Sequence, residues 1–258
     1  MVVNVVAKRR GDMTHQEALR AYREKDFQKA YNYWIEQAEQ KDNSQAMVNL
    51  GLMHLKGEGV AKDMGKAHDW FIKSDSLGNE SGSYNLALLY QSGIGVQKDL
   101  KRAVSYFKKA TNAGHDGAAF RLGLLLLQDR TDKENLKVGF DAMLQAARAS
   151  HPMALSQVGG VDRKPNKEAE LNHEFRDSSH QKQLEIINDA LERYIRPMLL
   201  KDGGDIDLVS YTSTPEIEIK LAYLGNCAGC SLGATSTYEL IYNTLSGVID
   251  ANISLFVI

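Results

Sequence analysis

Apolar and small residues at Ala46, Leu50, Met53 and Leu55 fall at roughly helical spacing, which predicts one helix. Gly57 and Gly59 then supply a turn with positive φ, and Ala67, Trp70 and Phe71 open the packing face of a second helix. The pattern recurs. Leu50-Gly51, Leu86-Ala87 and Leu122-Gly123 are spaced 36 residues apart, and the same step relates Gly57-Glu58-Gly59-Val60 to Gly93-Ile94-Gly95-Val96, Asp63 to Asp99, Trp70-Phe71 to Tyr106-Phe107 and Gly78 to Gly114. Two copies are complete. A third is degraded: His151, Ala154 and Gly159 match His115, Ala118 and Gly123, while Asp129 and Thr131 replace the loop glycines. Half a copy precedes them at Ala30-Tyr31-Asn32-Tyr33-Trp34. A period of this length predicts an α-solenoid of helix-pair repeats over residues 14–160. Small residues at Gly51 and Ala87 predict close helix approach, and the recurring Trp70, Phe71, Tyr106 and Phe107 are expected in the core before any ligand-binding role.

The periodic pattern fails from Val161 to Ser179, where nine of nineteen residues are charged and Pro165 stands near the start, so 161–179 reads as a charged linker. His173-Glu174 inside it lacks the second histidine of a zinc-protease helix, because Asp177 occupies that place. Beyond it the period changes. Leu184, Ile187, Leu191, Tyr194, Ile195 and Met198 form one helical stripe, ended by the paired glycines of Lys201-Asp202-Gly203-Gly204-Asp205. Ile206 and Leu208, then Ile217, Ile219, Leu221 and Tyr223, alternate with polar neighbours such as Glu216, Glu218 and Lys220, which predicts a sheet with one wet face. A helix over Leu232–Leu245 and a last strand over Asn252–Ile258 complete a small α/β domain spanning 180–258. The fold class is therefore α + α/β, an N-terminal α-solenoid followed by a small C-terminal α/β domain.

Composition sharpens the functional reading. A chain of 258 residues has room for about two domains, and 43% hydrophobic with 25% charged residues excludes disorder throughout. Lysine plus arginine at 31 against aspartate plus glutamate at 33 leaves a net charge of −2, so no basic field exists to grip phosphates and nucleic acid is not expected as a partner. Met1-Val2-Val3-Asn4-Val5-Val6-Ala7 precedes Lys8-Arg9-Arg10, the reverse of a secretory signal, and no later stretch approaches a membrane span. The chain reads as soluble and cytoplasmic, with no membrane partner. The Gly-x-Gly pairs do not form a nucleotide loop, because Lys62 and Lys98 stand where a third glycine would be and the pairs recur with the repeat.

The repeated positions resemble the Sel-one-like repeat family, relatives of tetratricopeptide repeats. The resemblance covers about residues 14 to 160 and implies an α-solenoid that presents a surface to protein partners.

Chemistry concentrates in two cysteines, Cys227 and Cys230, in a C-x-x-C pair with no others in the chain, so no disulfide framework is expected. A thioredoxin-like redox pair would need further strands and a cis-proline, yet no proline follows Cys230. Gly229-Cys230-Ser231-Leu232-Gly233 fits the spacing of a hydrolase elbow, but no histidine lies after His180 to complete it. Arg196-Pro197-Met198-Leu199-Leu200-Lys201-Asp202-Gly203-Gly204-Asp205, followed by Leu224-Gly225-Asn226-Cys227-Ala228-Gly229-Cys230, resembles the NifU C-terminal domain (Nfu) family over about residues 180 to 258. Ser231 stands where many members have proline, and serine caps helix starts well.

That resemblance implies an iron–sulfur cluster held between two chains through Cys227 and Cys230 and passed to apo iron–sulfur client proteins, with other cluster-assembly proteins as further partners and no enzymatic turnover. Two cysteines separated by two residues, between a strand end and a helix start, put both sulfurs on one side of a tight loop, and the helix dipole favours their thiolate form. A four-iron (4Fe-4S) cluster uses four cysteine ligands, so a chain with two predicts a homodimer. A shared four-cysteine zinc site remains a chemical alternative, and with it an interaction scaffold carrying a permanent structural or sensing metal.

Overall fold

The computed structural model describes residues 13–128, 132–161, 172–200, 204–214, 216–225, 235–250 and 252–258, and its chain divides into two compact units at His115/Asp116. The first unit is helical: α1 (His15–Arg23), α2 (Phe27–Lys41), α3 (Ser44–Lys56), α4 (Met64–Ser76), α5 (Glu80–Ser92) and α6 (Leu100–Asn112). The 36-residue step is visible in its caps. Asn43 and Asn79 accept backbone N–H bonds at the starts of α3 and α5, and Asp63 and Asp99 do the same for α4 and α6. Gly57 and Gly93 end α3 and α5 in the left-handed region, at φ 78° and 74°.

Packing follows the repeat as well. Phe71 and Phe107 are fully buried, whereas Trp70 and Tyr106, expected beside them in the core, are only half-buried. Trp70 carries the Lys73 ammonium 4.3 Å above its ring, and Tyr106 stacks on Tyr90 at 5.7 Å. At Gly51 a Cβ would lie 2.4 Å from the Phe71 ring, so the glycine is what lets α3 and α4 meet. Gly51→Val is therefore expected to cost about 3 kcal/mol by overpacking. Both tryptophans, Trp34 and Trp70, lie in this unit, so the midpoint of their fluorescence change in denaturant measures that loss.

The second unit holds α7 (Asp116–Leu126), α8 (Lys133–Arg148), α9 (Pro152–Leu155), α10 (His173–Arg176), α11 (His180–Ala190), a π-helical turn (Leu191–Ile195), α12 (Arg196–Leu200), β1 (Gly204–Thr212), β2 (Ile217–Gly225), α13 (Thr235–Val248) and β3 (Ile253–Val257). The sheet order is β1-β2-β3, with β1 antiparallel to β2 and β2 parallel to β3. One face packs Ile206, Ile217, Ile219, Leu221, Leu255 and Val257 against Ile187, Leu191, Ile195, Ile241 and Leu245.

Three sequence expectations change here. The π turn precedes Pro197, which has no N–H to give, and Arg196 N–H donates instead to the Leu191 carbonyl five residues back. The extra residue shifts the stripe, leaving Tyr194 exposed while Ile187, Leu191 and Ile195 stay inside. The described end of the charged stretch 161–179 is built into the core: Phe175 on α10 is buried among these side chains. Asn172 N–H and the Arg176 guanidinium both bond the Asp250 carboxylate, at 3.1 and 2.7 Å.

Finally, the face expected to be wet is covered. Phe256, with half-buried Val209 and Ile258, packs against Phe120, Phe140, Met143, Leu144, Ala147 and Val158 of the degraded repeat copy. A bulge between Leu208 and Ser210 accompanies the turning of Val209 to this side. Gly159, which in the repeat register matches a helical glycine, instead pairs with Val257 in a short antiparallel bridge along the free edge of β3. Its helix is cut to α9, a single turn opened by Pro152.

Candidate metal centre

β2 is the central strand, and it ends at Gly225, two residues before Cys227. Cys227 and Cys230 lie outside the described residues, in the segment joining the end of β2 to the start of α13 at Thr235. What is described is the frame on both sides of that segment. Gly204 pairs with Gly225 and Asp205 with Leu224, so the second half of Asp202-Gly203-Gly204-Asp205 runs beside the strand that delivers the cysteines. Asp202 and Gly203 are themselves outside the described residues.

The glycine of that pairing is not merely a helix stop, as its sequence suggested. Gly204 already belongs to β1, and a Cβ on it would sit 2.1 Å from the Tyr223 hydroxyl. Its lack of a side chain lets the Tyr223 ring lie across the strand end. Next to it, Arg196 on α12 gathers the start of β1: its guanidinium pairs with Asp205, donates to the Ile206 carbonyl at 3.0 Å and approaches Asp207 at 3.6 Å. Asp205 also accepts the Ile206 N–H at 2.7 Å. Sequence reasoning gave Arg196 no role of its own, although it opens the stretch that carries the resemblance. A lone arginine before a proline gives no periodic signal, and although Glu192 four residues back also meets it, its partners on β1 lie nine or more residues away.

The other face of β2 is held by charge. Lys220 Nζ lies 2.6 Å from Asp141 Oδ1 on α8 and 3.0 Å from Glu218 Oε1, and Arg148 reaches Glu218 at 3.4 Å. Burial alone would lower the Lys220 ammonium, but hydrogen bonds from it to Asp141 and Glu218 outweigh burial and hold it above the ordinary lysine range. The Arg148 guanidinium also sits 5.0 Å from the centre of the Phe256 ring.

Among the described residues no group of three or more His, Cys, Asp or Glu side chains could hold a metal ion. No helix of the described residues is long and apolar enough to cross a membrane.

Comparison with known proteins matches two separate stretches of the chain. The model of the NifU-like domain matches residues 187–255, and the model of the Sel1 repeat matches residues 16–42, 44–79 and 81–115. No curated protein matches the chain. Among solved structures, a Sel1 repeat protein from Oxalobacter formigenes is 25% identical with a TM-score of 0.50, over 55% of this chain and 58% of that one. The protective antigen c5321 of uropathogenic Escherichia coli, which displays an SLR fold, is 30% identical with a TM-score of 0.50, over 55% of this chain and 31% of its own. This chain thus spans less than two thirds of either relative. It carries Sel1 repeats within residues 16–115 and a NifU-like domain over residues 187–255.

Proposed function

We propose that this protein is a carrier of iron–sulfur clusters, in which Cys227 and Cys230 from two chains hold one four-iron cluster at a homodimer interface. The holo-protein hands that cluster to apo-proteins, and the repeats dock the recipients. The observation that carries this reading is the NifU-like match over 187–255, which contains both cysteines directly after the central strand. The donor set suits the cargo: soft thiolates ligate iron–sulfur clusters, and two per chain make half of a four-thiolate site. A site divided between two chains opens readily. An incoming client thiolate replaces one Cys sulfur at iron, and the departing cysteine takes up a proton, with no change of oxidation state. Such exchange consumes no substrate, so the role is that of a carrier and not of an enzyme. Repeats that hold a client nearby raise its effective concentration at the cluster.

Anaerobic purification with iron, sulfide and zinc measured per chain, followed by mixing with an apo-acceptor, tests the proposal. The expected result is iron and sulfide in equal amounts and activation of the acceptor. A protein that keeps its metal against a chelator and activates no acceptor would instead be a scaffold with a permanent metal centre.

A further inference from the structure

The helix pair α7–α8 stands in repeat register, yet the second unit uses it as part of the C-terminal domain. Its side chains are matched to particular strand residues. Phe140, Met143 and Leu144 cover Phe256 of β3, while Asp141 and Arg148, on the same helix, meet Lys220 and Glu218 of β2. The four charges form an alternating chain, Arg148–Glu218–Lys220–Asp141, that crosses from helix to strand and back. Lys220 is the most enclosed of the four, with 15% of its side chain exposed, so this is no loose surface pair. From Lys220, β2 runs five more residues to Gly225, about 17 Å of extended strand. The cysteine segment begins there.

A strand packed on both faces has little freedom to twist or slide, and that rigidity reaches whatever the strand carries at its end. We infer that α8 is a clamp on the central strand, and that Asp141, through Lys220, is a positioning residue for the cysteine segment. The inference rests on the carrier reading for what that segment holds. It gives α7–α8 a task different from the docking expected of the upstream repeats: a fixed β2 fixes the point at Gly225 from which the cysteine segment departs, and a loosened β2 is expected to let the cluster go sooner.

The test uses the full chain with Asp141→Lys, which sets two ammonium groups face to face, and the swap Asp141→Lys/Lys220→Asp. Amide exchange in β2 from Ile219 to Tyr223 is expected to quicken about tenfold in the single variant while exchange in α3 and α5 stays at the wild-type rate. Loss of iron from the reconstituted protein to a chelator should quicken by a similar factor, and the swap should restore both. Unchanged β2 exchange in Asp141→Lys, or quickened exchange with an unchanged rate of iron loss, would overturn the clamp. Failure of the wild-type chain to take up iron and sulfide at all would instead overturn the carrier reading beneath it.

Discussion

Serine at Cys227 or at Cys230 is expected to abolish the visible absorption of the reconstituted protein and to reduce its iron and sulfide to below about a tenth of the wild-type content. With one cysteine left per chain, a symmetric dimer offers two thiolates in place of four. A serine hydroxyl does not fill the gap, because its oxygen is a harder ligand and stays protonated near neutral pH. The dimer should weaken with the cluster, which sedimentation of wild-type and variant protein under anaerobic conditions would show. Fluorescence of Trp34 and Trp70 serves as the internal control, since both lie in the first unit and should be unaffected. A monomer that retains a complete four-iron cluster without added thiols would end the shared-site reading.

The largest effect on stability is expected at Arg176→Met. Asp250 has no exposed side-chain surface, and Arg176 meets it with two nitrogens at 2.7 and 3.1 Å. Burial raises the Asp250 carboxyl, but Arg176 and the backbone N–H groups of Asn252 and Asn172 outweigh it and hold the group below the usual range. Removing the guanidinium leaves a buried charge without its partner, a loss of about 3–5 kcal/mol. The sign with pH follows from the depressed folded-state value. Asp250 stabilises the wild type above the unfolded carboxylate pKa of about 3.9, and that contribution disappears as pH falls through the lower folded value. In Arg176→Met burial prevails and raises the carboxyl, so the variant's penalty is greatest at neutral pH. The gap should narrow in acid as the group is protonated. Amide exchange in β3 at pH 7 and pH 4 would measure this. A variant within about 1 kcal/mol of wild type at pH 7 would show that the backbone donors suffice alone.

The repeats were legible because their signals are local. A left-handed glycine at Gly57 or Gly93 and a cap at Asn43 or Asp63 each act within a few residues, and a fixed step of 36 copies them along the chain. The strands and the helix that flank the cysteines were legible from alternation and spacing for the same reason. The placement of Cys227 and Cys230 themselves falls outside the described residues, so only their frame is compared. What the sequence concealed was distant. Glu218 and Lys220 read as a solvated face because charges on a strand usually are, and the acid that answers Lys220 lies 79 residues earlier. Phe175 was hidden as a single aromatic among charges, where no periodicity marks it as core. Tyr194 was placed inside because a regular stripe assumes 3.6 residues per turn, and the turn before Pro197 is wider.

Helix-pair arrays gain and lose length in whole units, since each unit offers its neighbours the same surfaces. Residues 44–79 and 80–115 meet that condition, with equivalent caps at Asn43 and Asn79 and equivalent turns at Gly57 and Gly93. The α7–α8 pair does not, because Phe140, Asp141 and Arg148 answer named residues of β2 and β3. Duplication or deletion of one 36-residue unit therefore has a permitted stretch between Asn43 and His115 and a forbidden one after it. The array's length is free to drift among descendants of this chain, while its final unit is inherited together with the sheet.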